Sequence, residues 1–440
     1  MRCIYGFLTI LSVAGNTAHI YAQQAKQTVQ LSVEQLFRLA DENNTSIKQY
    51  QAAEAAAAEA VEVSRSERLP SINFAASASY LGNGWLTDRD FGNGMKASIP
   101  HFGNNFAIEA AQVVYSGGAL SAGIALSELK RRALQAEAEG NRQDIRFLLI
   151  GNYLELYKLD NQVEVYRKNI EQTQRLLTEI RARHKEGLAL RNDITRYELQ
   201  LQRLELALTQ TENSRAIINE RLTTLLGLES QIRIEPDRSV TAELPKVLSE
   251  GHWQEAAADN APALRLASIG VAQSEQGVRL AQAERRPSIS LFAGDKMDGP
   301  ITVEVPPLNK NMNYWYVGVG VSFNLASLYK SPHAVRQAKH SMTRANTLKQ
   351  LAAEQLHSDV REAYIRFSEA FDVCRIEEKN LELAAQNYSV VHNRYINDLA
   401  LITDMLDADN AKLSAELEVA NAQVGILFNW YRLKKIAGEL

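Results

Sequence analysis

Apolar residues recur at alternating intervals of four and three over two long stretches of this chain. Ile145, Leu149, Leu156, Leu159, Val163, Tyr166, Ile170, Leu177 and Ile180 keep this spacing, and Ile194, Tyr197, Leu201, Leu204, Leu208, Ile218, Leu222 and Leu225 resume it. A second stretch carries Leu356, Val360, Ala363, Phe367, Ala370, Cys374, Leu381, Ala384, Tyr388, Val391 and Tyr395, then Leu406, Leu413, Leu417, Ala420, Val424, Leu427 and Tyr431. A repeat of about 3.5 residues sustained this long predicts coiled-coil packing. Proline placement agrees, because all ten prolines lie in 70–100 and 236–332, leaving 101–235 and 333–440 without one. The pattern breaks at 185–193 and again at 397–404, so each stretch folds into a hairpin of one long and one shorter helix. The first long helix would run from about Gly118 to His184, roughly 100 Å at about 1.5 Å per residue. Asn192 and Thr403 suit helix caps, each followed by an aspartate in the first turn.

Between the helical stretches the period changes from 3.5 to 2. Ile72, Phe74, Ala76, Ala78 and Tyr80 alternate with small or polar residues, as do Trp315, Val317, Val319, Val321, Phe323 and Leu325. Four strands are predicted, at about 71–80, 105–115, 288–295 and 313–325. One large-apolar and one small or polar face suits a barrel wall between lipid and water; a half-buried soluble sheet gives the same period. The facing of the second strand is ambiguous, because Glu109 shares its parity with Val113 and Tyr115. Four strands cannot close a barrel, and open edges are not tolerated in lipid. Eight pooled strands would fill their own interior, whereas twelve from three chains leave room for a pore.

The two halves are copies. Glu67-Arg68-Leu69-Pro70-Ser71-Ile72 recurs as Glu284-Arg285-Arg286-Pro287-Ser288-Ile289, and Leu188-Ala189-Leu190 recurs as Leu399-Ala400-Leu401, with Asp193 matched by Asp404. The predicted organisation is a first structural repeat over 23–235, with a hairpin at about 118–227, and a second over 236–440, with a hairpin at about 333–438. Residues 1–22 precede both. Arg2 is their only charge, followed by the apolar stretch Ile4 to Ala14 and a small residue at Ala22. That pattern predicts a secretory signal peptide, the apolar stretch being too short for a membrane anchor.

Composition narrows the function classes. The mean hydropathy of −0.26 belongs to a soluble-looking chain, and past residue 22 no run approaches the roughly 18 apolar residues of a spanning helix. Strand alternation leaves such averages nearly unchanged, so they say nothing against a β-barrel. The net charge of −4, or −5 once Arg2 is removed, gives no basic footprint for nucleic acid. Two cysteines supply neither a disulfide framework nor a Cys-rich zinc site. His184, His252, His333, His340, His357 and His392 are scattered without ligand spacing, and no Gly-rich phosphate loop precedes a helix. No enzyme, no metal and no cofactor is expected.

An exported, duplicated chain with two strand pairs and two long helical hairpins resembles the TolC-like outer membrane efflux proteins, also called outer membrane factors. The resemblance covers 31–440 and rests on Asn43-Asn44 and Asn260-Ala261-Pro262, the two Pro-Ser-Ile strand entries, and Tyr115-Ser116-Gly117-Gly118. The family's tip pattern of an aromatic, a glycine and a later aspartate is divided here. The first tip keeps Gly187 and Asp193 with His184 at the aromatic place; the second keeps Tyr395, Asp404 and Asp407 with Asp398 for the glycine.

The resemblance implies a mainly α protein with a membrane β-barrel: a homotrimer whose twelve strands form a barrel in the Gram-negative outer membrane above a helical tunnel in the periplasm. It implies a passive exit duct for efflux or type I secretion, partnered by outer-membrane lipid, a periplasmic adaptor and an inner-membrane pump of RND, ABC or MFS type. The rival reading, a periplasmic coiled-coil adaptor or scaffold, predicts one hairpin or leaves the strands unused. By position, Asp193 and Tyr395 would guard the periplasmic aperture. The family often has arginine where this chain has Ala400, so Arg191 or Arg394 would supply that charge. Asp404 and Asp407, three apart on one helical face, would form a selectivity ring, or merely favour the positive helix start. Glu186, Gly187, Leu188, Asn397, Asp398 and Leu399 would dock the adaptor. Tyr314, Trp315 and Tyr316 would form a membrane-interface girdle.

Overall fold

The computed structural model describes residues 28–241, 244–304 and 306–440; the leader expected at 1–22 lies outside the described residues. The first half runs β1 (Thr28–Leu31), α1 (Val33–Asn43), α2 (Thr45–Ser66), β2 (Ser71–Tyr80), β3 (Gly84–Leu86), β4 (Met95–Ala97), β5 (Phe102–Ser116), α3 (Ala119–Lys185) and α4 (Arg191–Leu226). The second runs β6 (Arg233–Pro236), α5 (Glu250–Asn260), α6 (Pro262–Ala283), β7 (Ser288–Gly299), β8 (Met312–Ser322), α7 (Ser327–Ile396) and α8 (Ile402–Ala437). Helix lengths correspond across the halves: α1 and α5 have 11 residues, α2 and α6 have 22, α4 and α8 have 36. Only the long helices differ, α3 having 67 residues and α7 having 70.

Local chemistry fixes where these helices begin and end. Ser32 and Gln35 form a capping box at the start of α1. Asn44 caps α2 by accepting from the Ser46 and Ile47 amides, and its own amide donates to the Leu225 carbonyl, tying the short helices to the end of α4. Each hairpin closes on a left-handed glycine. At Gly438, with φ +78°, an added Cβ would lie 2.6 Å from the Asn260 carbonyl carbon, so only glycine lets the chain end pack there. The α7 helix starts six residues before the expected 333, enclosing Pro332. Proline there leaves one helical bond unmade, a cost the adjoining turns accommodate.

Four strands form one antiparallel sheet in the order β2-β5-β7-β8. The strands differ in extent from expectation: β5 begins at Phe102, β7 continues to Gly299, and β8 stops at Ser322. Cross-strand partners define the faces. Phe74, Ile108, Ala293, Val317, Leu291 and Val319 share the apolar face, whereas Asn73, Glu109, Gly294 and Tyr316 share the other. The register of β5 against β7 shifts between Val113 and Tyr115. That bulge resolves the mixed parity of the second strand: Glu109 and Val113 (opposite Ser290) face the polar side, while Tyr115, opposite Ile289, passes to the apolar side. On the polar side the Tyr316 hydroxyl donates to Glu109 (2.9 Å), which also pairs with Lys296 (2.6 Å). The apolar face is open to its surroundings: Ile72 and Phe74 are each 70% exposed and Val317 74%. Both β2 and β8 are free edges.

The sheet reading of Tyr314, Trp315 and Tyr316 as one girdle needs correction. Adjacent strand residues face opposite ways, so Trp315 projects from the apolar face while Tyr314 and Tyr316 lie on the other, beside Lys296 and Glu109. Trp315 alone of the three projects from the apolar face.

A belt not foreseen from the sequence crosses the helices midway. β1 pairs in parallel with β6, and both pack with α1, α3 and α4 into a core that includes Leu36, Leu149, Ile150, Leu154, Leu222 and Ile234. At its centre is Tyr153, fully buried. Its hydroxyl donates to the Leu31 carbonyl (2.7 Å) and accepts from the Asp237 amide (2.8 Å), stitching α3 to β1 and to the residue that follows β6. Burial pushes the phenol up to about 12, so it keeps its proton throughout the neutral range. Tyr153→Phe strands two backbone groups and should cost about 1–3 kcal/mol, read as a lowered thermal midpoint with the far-ultraviolet spectrum unchanged.

Candidate functional site

The two helical turns remote from the sheet are built alike. At the first, the Leu188 amide bonds the Arg183 carbonyl (2.9 Å); at the second, the Leu399 amide bonds the Arg394 carbonyl (2.8 Å). This is the Schellman closure, which requires a left-handed residue just past the helix. Gly187 supplies it with φ +79°, and Asp398 supplies it with φ +60°. Aspartate is among the few residues that tolerate that region, so the missing glycine does not change the turn.

The returning helices start differently from expectation. The caps are Leu190 and Leu401, not Asn192 and Thr403, which fall inside the first turn. Leucine offers no side-chain acceptor, so the work passes to the third helical residue. Asp193 accepts from the Leu190 amide (2.9 Å), and Asp404 from the Leu401 amide (3.0 Å). Both carboxylates thus also sit at the positive helix start. Asp407, one turn further, is exposed.

One side chain joins the two tips, and the sequence reading passed over it. Arg183 donates to the Ile396 carbonyl (2.8 Å), pairs with Asp398, and lies over the Tyr395 ring at 5.7 Å. Neither Arg191 nor Arg394 does this; Arg191 is exposed, and Arg394 donates to the Leu399 carbonyl of its own turn (3.2 Å). Arg183 occupies the first tip at the position equivalent to Arg394. Its signal was the pairing of opposite charges between equivalent turns, visible only once the turns are adjacent. His184 is also spent locally, its Nδ1 lying 2.7 Å from the Ala189 carbonyl.

Beneath this clasp lies a small apolar core of Leu176, Leu177, Ile180, Ile194, Tyr197, Tyr395, Ile402 and Met405, with Ala189 and Ala400 packed against it. Burial, then the nearby Asp193 charge, raises the Tyr395 phenol, partly offset by Arg183. Further from the tips the two hairpins meet through polar rungs: Gln200 to Asn410 (2.8 Å), Asn169 to Glu416 (2.9 Å) and Gln162 to Asn421 (3.3 Å). Side-chain amides hold these surfaces in register without welding them as a continuous apolar seam would.

Asp409, also absent from the sequence reading, is buried among these rungs. Burial is the main cause of its raised pKa; Glu416 adds to it, and Lys412 and His392 oppose it. Tyr197 and Tyr388 flank the same space, and the buried Tyr197 hydroxyl has no hydrogen-bond partner among the described residues. The loops 186–190 and 397–401, including Glu186, Gly187, Leu188, Asn397, Asp398 and Leu399, stay largely exposed, with Leu188 at 58% and Leu399 at 66%. Among the described residues no cluster of His, Cys, Asp or Glu is placed to hold a metal ion, and no helix is long and apolar enough to cross a membrane.

Comparison with known proteins gives one consistent answer. The family model for outer membrane efflux proteins matches residues 36–228 and 253–439. The outer membrane protein TolC of Vibrio cholerae serotype O1 is 22% identical over 410 residues, covering 92% of this chain and 90% of its own. Among solved structures, the outer-membrane channel OprN superposes with a TM-score of 0.78 at 17% identity, covering 93% of this chain and 90% of that one. VceC of Vibrio cholerae gives 0.75 at 16%, with 92% and 96% covered. The open-state MtrE channel of Neisseria gonorrhoeae gives 0.75 at 16%, with 92% and 88% covered.

The folded chain holds the Asp409 proton more tightly than an unfolded chain would. Its stabilising effect is therefore complete below the ordinary carboxyl value of 3.8 and is lost as pH rises through the raised value. Asp409→Asn should raise the thermal midpoint at pH 7.5 by about 1–2 °C, and the advantage should shrink as pH is lowered toward 4.

Proposed function

Because the chain belongs to the outer membrane efflux protein family, we propose that this outer-membrane exit duct serves a tripartite efflux or type I secretion system as a homotrimer. The observation that carries this reading is a sheet with an exposed apolar face and two free edges, continuous with two hairpins about 100 Å long. Three copies close the edges into a twelve-stranded barrel, which lipid demands, and bring six hairpins together as a tunnel. The chain is a conduit; an inner-membrane pump of RND, ABC or MFS type supplies energy and chooses the substrate, and a periplasmic adaptor joins the two.

The periplasmic end is the gate. Arg183, Asp398 and Tyr395 hold the second tip against the first within a protomer, with Asp193 beside the same aromatic ring. Release of that clasp lets the second hairpin swing outward along its polar rungs. Asp404 and Asp407 lie on the exposed side of α8 near this end, and threefold repetition sets six carboxylates around the constriction, favouring cations. The exposed loops carrying Glu186, Gly187, Leu188, Asn397, Asp398 and Leu399 receive the adaptor.

Two experiments test this. In planar bilayers the purified protein should form cation-preferring channels; Arg183→Ala should raise conductance, Arg191→Ala should leave it unchanged, and joint replacement of Asp404 and Asp407 by lysine should remove the cation preference. Unaltered selectivity in the lysine variant would sink the ring. For docking, Leu188→Asp with Leu399→Asp should abolish co-purification of the adaptor while the trimer survives.

A further inference from the structure

The two helices that flank the free sheet edges carry opposite charge. α2 leads into the edge strand β2, and α7 leaves the edge strand β8. α2 holds Glu54, Glu59 and Glu62 against Lys48 and Arg65, and because Glu62 is already paired with Arg65 (2.7 Å), Glu59 is its exposed carboxylate without a partner among the described residues. From residue 305 to residue 353 the chain has no Asp or Glu, while the start of α7 carries Lys330, Arg336, Lys339, Arg344 and Lys349. Lys330, His333, Arg336, His340 and Arg344 step along one face at intervals of three and four. That face is exposed and lies opposite the side that bears buried Ser327 and Ser331 and half-buried Ala338. Among the described residues none of these bases has an acidic partner; Arg336 only approaches the His333 ring nitrogen at 3.1 Å. Elsewhere the chain pairs such groups, as in Arg65 with Glu128 and Arg146 with Asp41.

The repeat inside the chain says what covers this face. Within one protomer α6 lies between α3 and α7, antiparallel to α3, so that a Cβ on Gly140 would sit 3.6 Å from the Pro262 ring at the start of α6. Its counterpart α2 packs on α3 from one side only. Its other side is an exposed strip of Ala52, Ala55, Ala56, Glu59 and Val63. Both ends of α6 fall 217 residues after those of α2, and α7 starts 208 residues after α3. Transposed by these offsets, the Gly140–Pro262 contact places Thr45 near Leu348, and hence Ala52 near Ser341 and Glu59 near Ala334.

We propose that α2 of one protomer seats against the basic face of α7 of the next, with the unpaired Glu59 meeting Arg336, a head-to-tail seam that sets the direction of ring closure. This rests on the trimeric reading above. The contact is heterologous, so it closes a ring only when every copy turns the same way. Charge segregation supplies that sense: α2 meeting α2, or α7 meeting α7, brings like charges together. Lys48, the one base on the outward side of α2, lies beyond the acidic span.

A Cys374→Ala chain carrying Ala52→Cys and His340→Cys, purified in detergent and treated with a short thiol-to-thiol reagent, tests the seam. The pair should yield covalent dimers and trimers on a denaturing gel, and neither single variant should. A trimer by light scattering that yields no cross-link overturns the seam and leaves the duct reading intact; a monomer overturns both. As an independent measure, Glu59→Arg or Arg336→Glu alone should lose the trimer band at a temperature where the unmodified protein keeps it. The exchanged pair, Glu59→Arg with Arg336→Glu, should recover it; no recovery argues against the pairing.

Discussion

Backbone amides and carbonyls cannot go unpaired in hydrocarbon, and nearly everything about this chain follows from that constraint. A four-stranded sheet with an exposed apolar face leaves a row of such groups along β2 and another along β8. They are satisfied only when the sheet closes on copies of itself. The helices inherit the consequence, since each strand pair feeds a hairpin directly. In the proposed trimer a wall closed above becomes a wall closed below. In that trimer the duplicated half supplies economy, because two similar units per protomer give six around the ring.

The lower end obeys a different rule. Toward the tips the hairpins meet through amide rungs and a compact apolar core. Neutral hydrogen bonds of this kind contribute modestly when made and are replaced by water when broken. Such a contact can separate without exposing a large greasy surface. The arginine clasp adds directionality at the outermost turn, where a single side chain holds a carbonyl, a carboxylate and a ring.

Much of this architecture was legible because long-range regularity survives in sequence. Proline-free windows and a 3.5-residue apolar rhythm located the hairpins, and the buried Leu149, Leu156, Ile180, Val360 and Phe367 lie on that rhythm. What escaped depends on single residues meeting across large separations. The belt strands are too short to declare themselves, and Tyr153 looks like any seam aromatic until its hydroxyl is seen between Leu31 and Asp237. The β5 bulge hides in parity, since one extra residue moves Tyr115 across the sheet. The capping aspartates were found but their partners were not, because Leu190 and Leu401 carry no polar side chain. Arg183 was overlooked for a similar reason: nothing near it in sequence marks it as different from the other arginines of α3.

The belt also carries a temporal implication. β1 pairs with β6 in parallel, Thr28 opposite Arg233, so β1 finds its partner only after some two hundred residues have followed it. Pairings this distant in sequence form slowly, because the loop entropy must be spent before the contact rewards it. An emerging chain therefore has its first long hairpin, α3 and α4, in hand before its waist can close. During that interval the apolar strands have neither lipid nor neighbours to cover them. Closure of the waist is thus a late step of folding, timed by sequence separation rather than by the strength of its contacts.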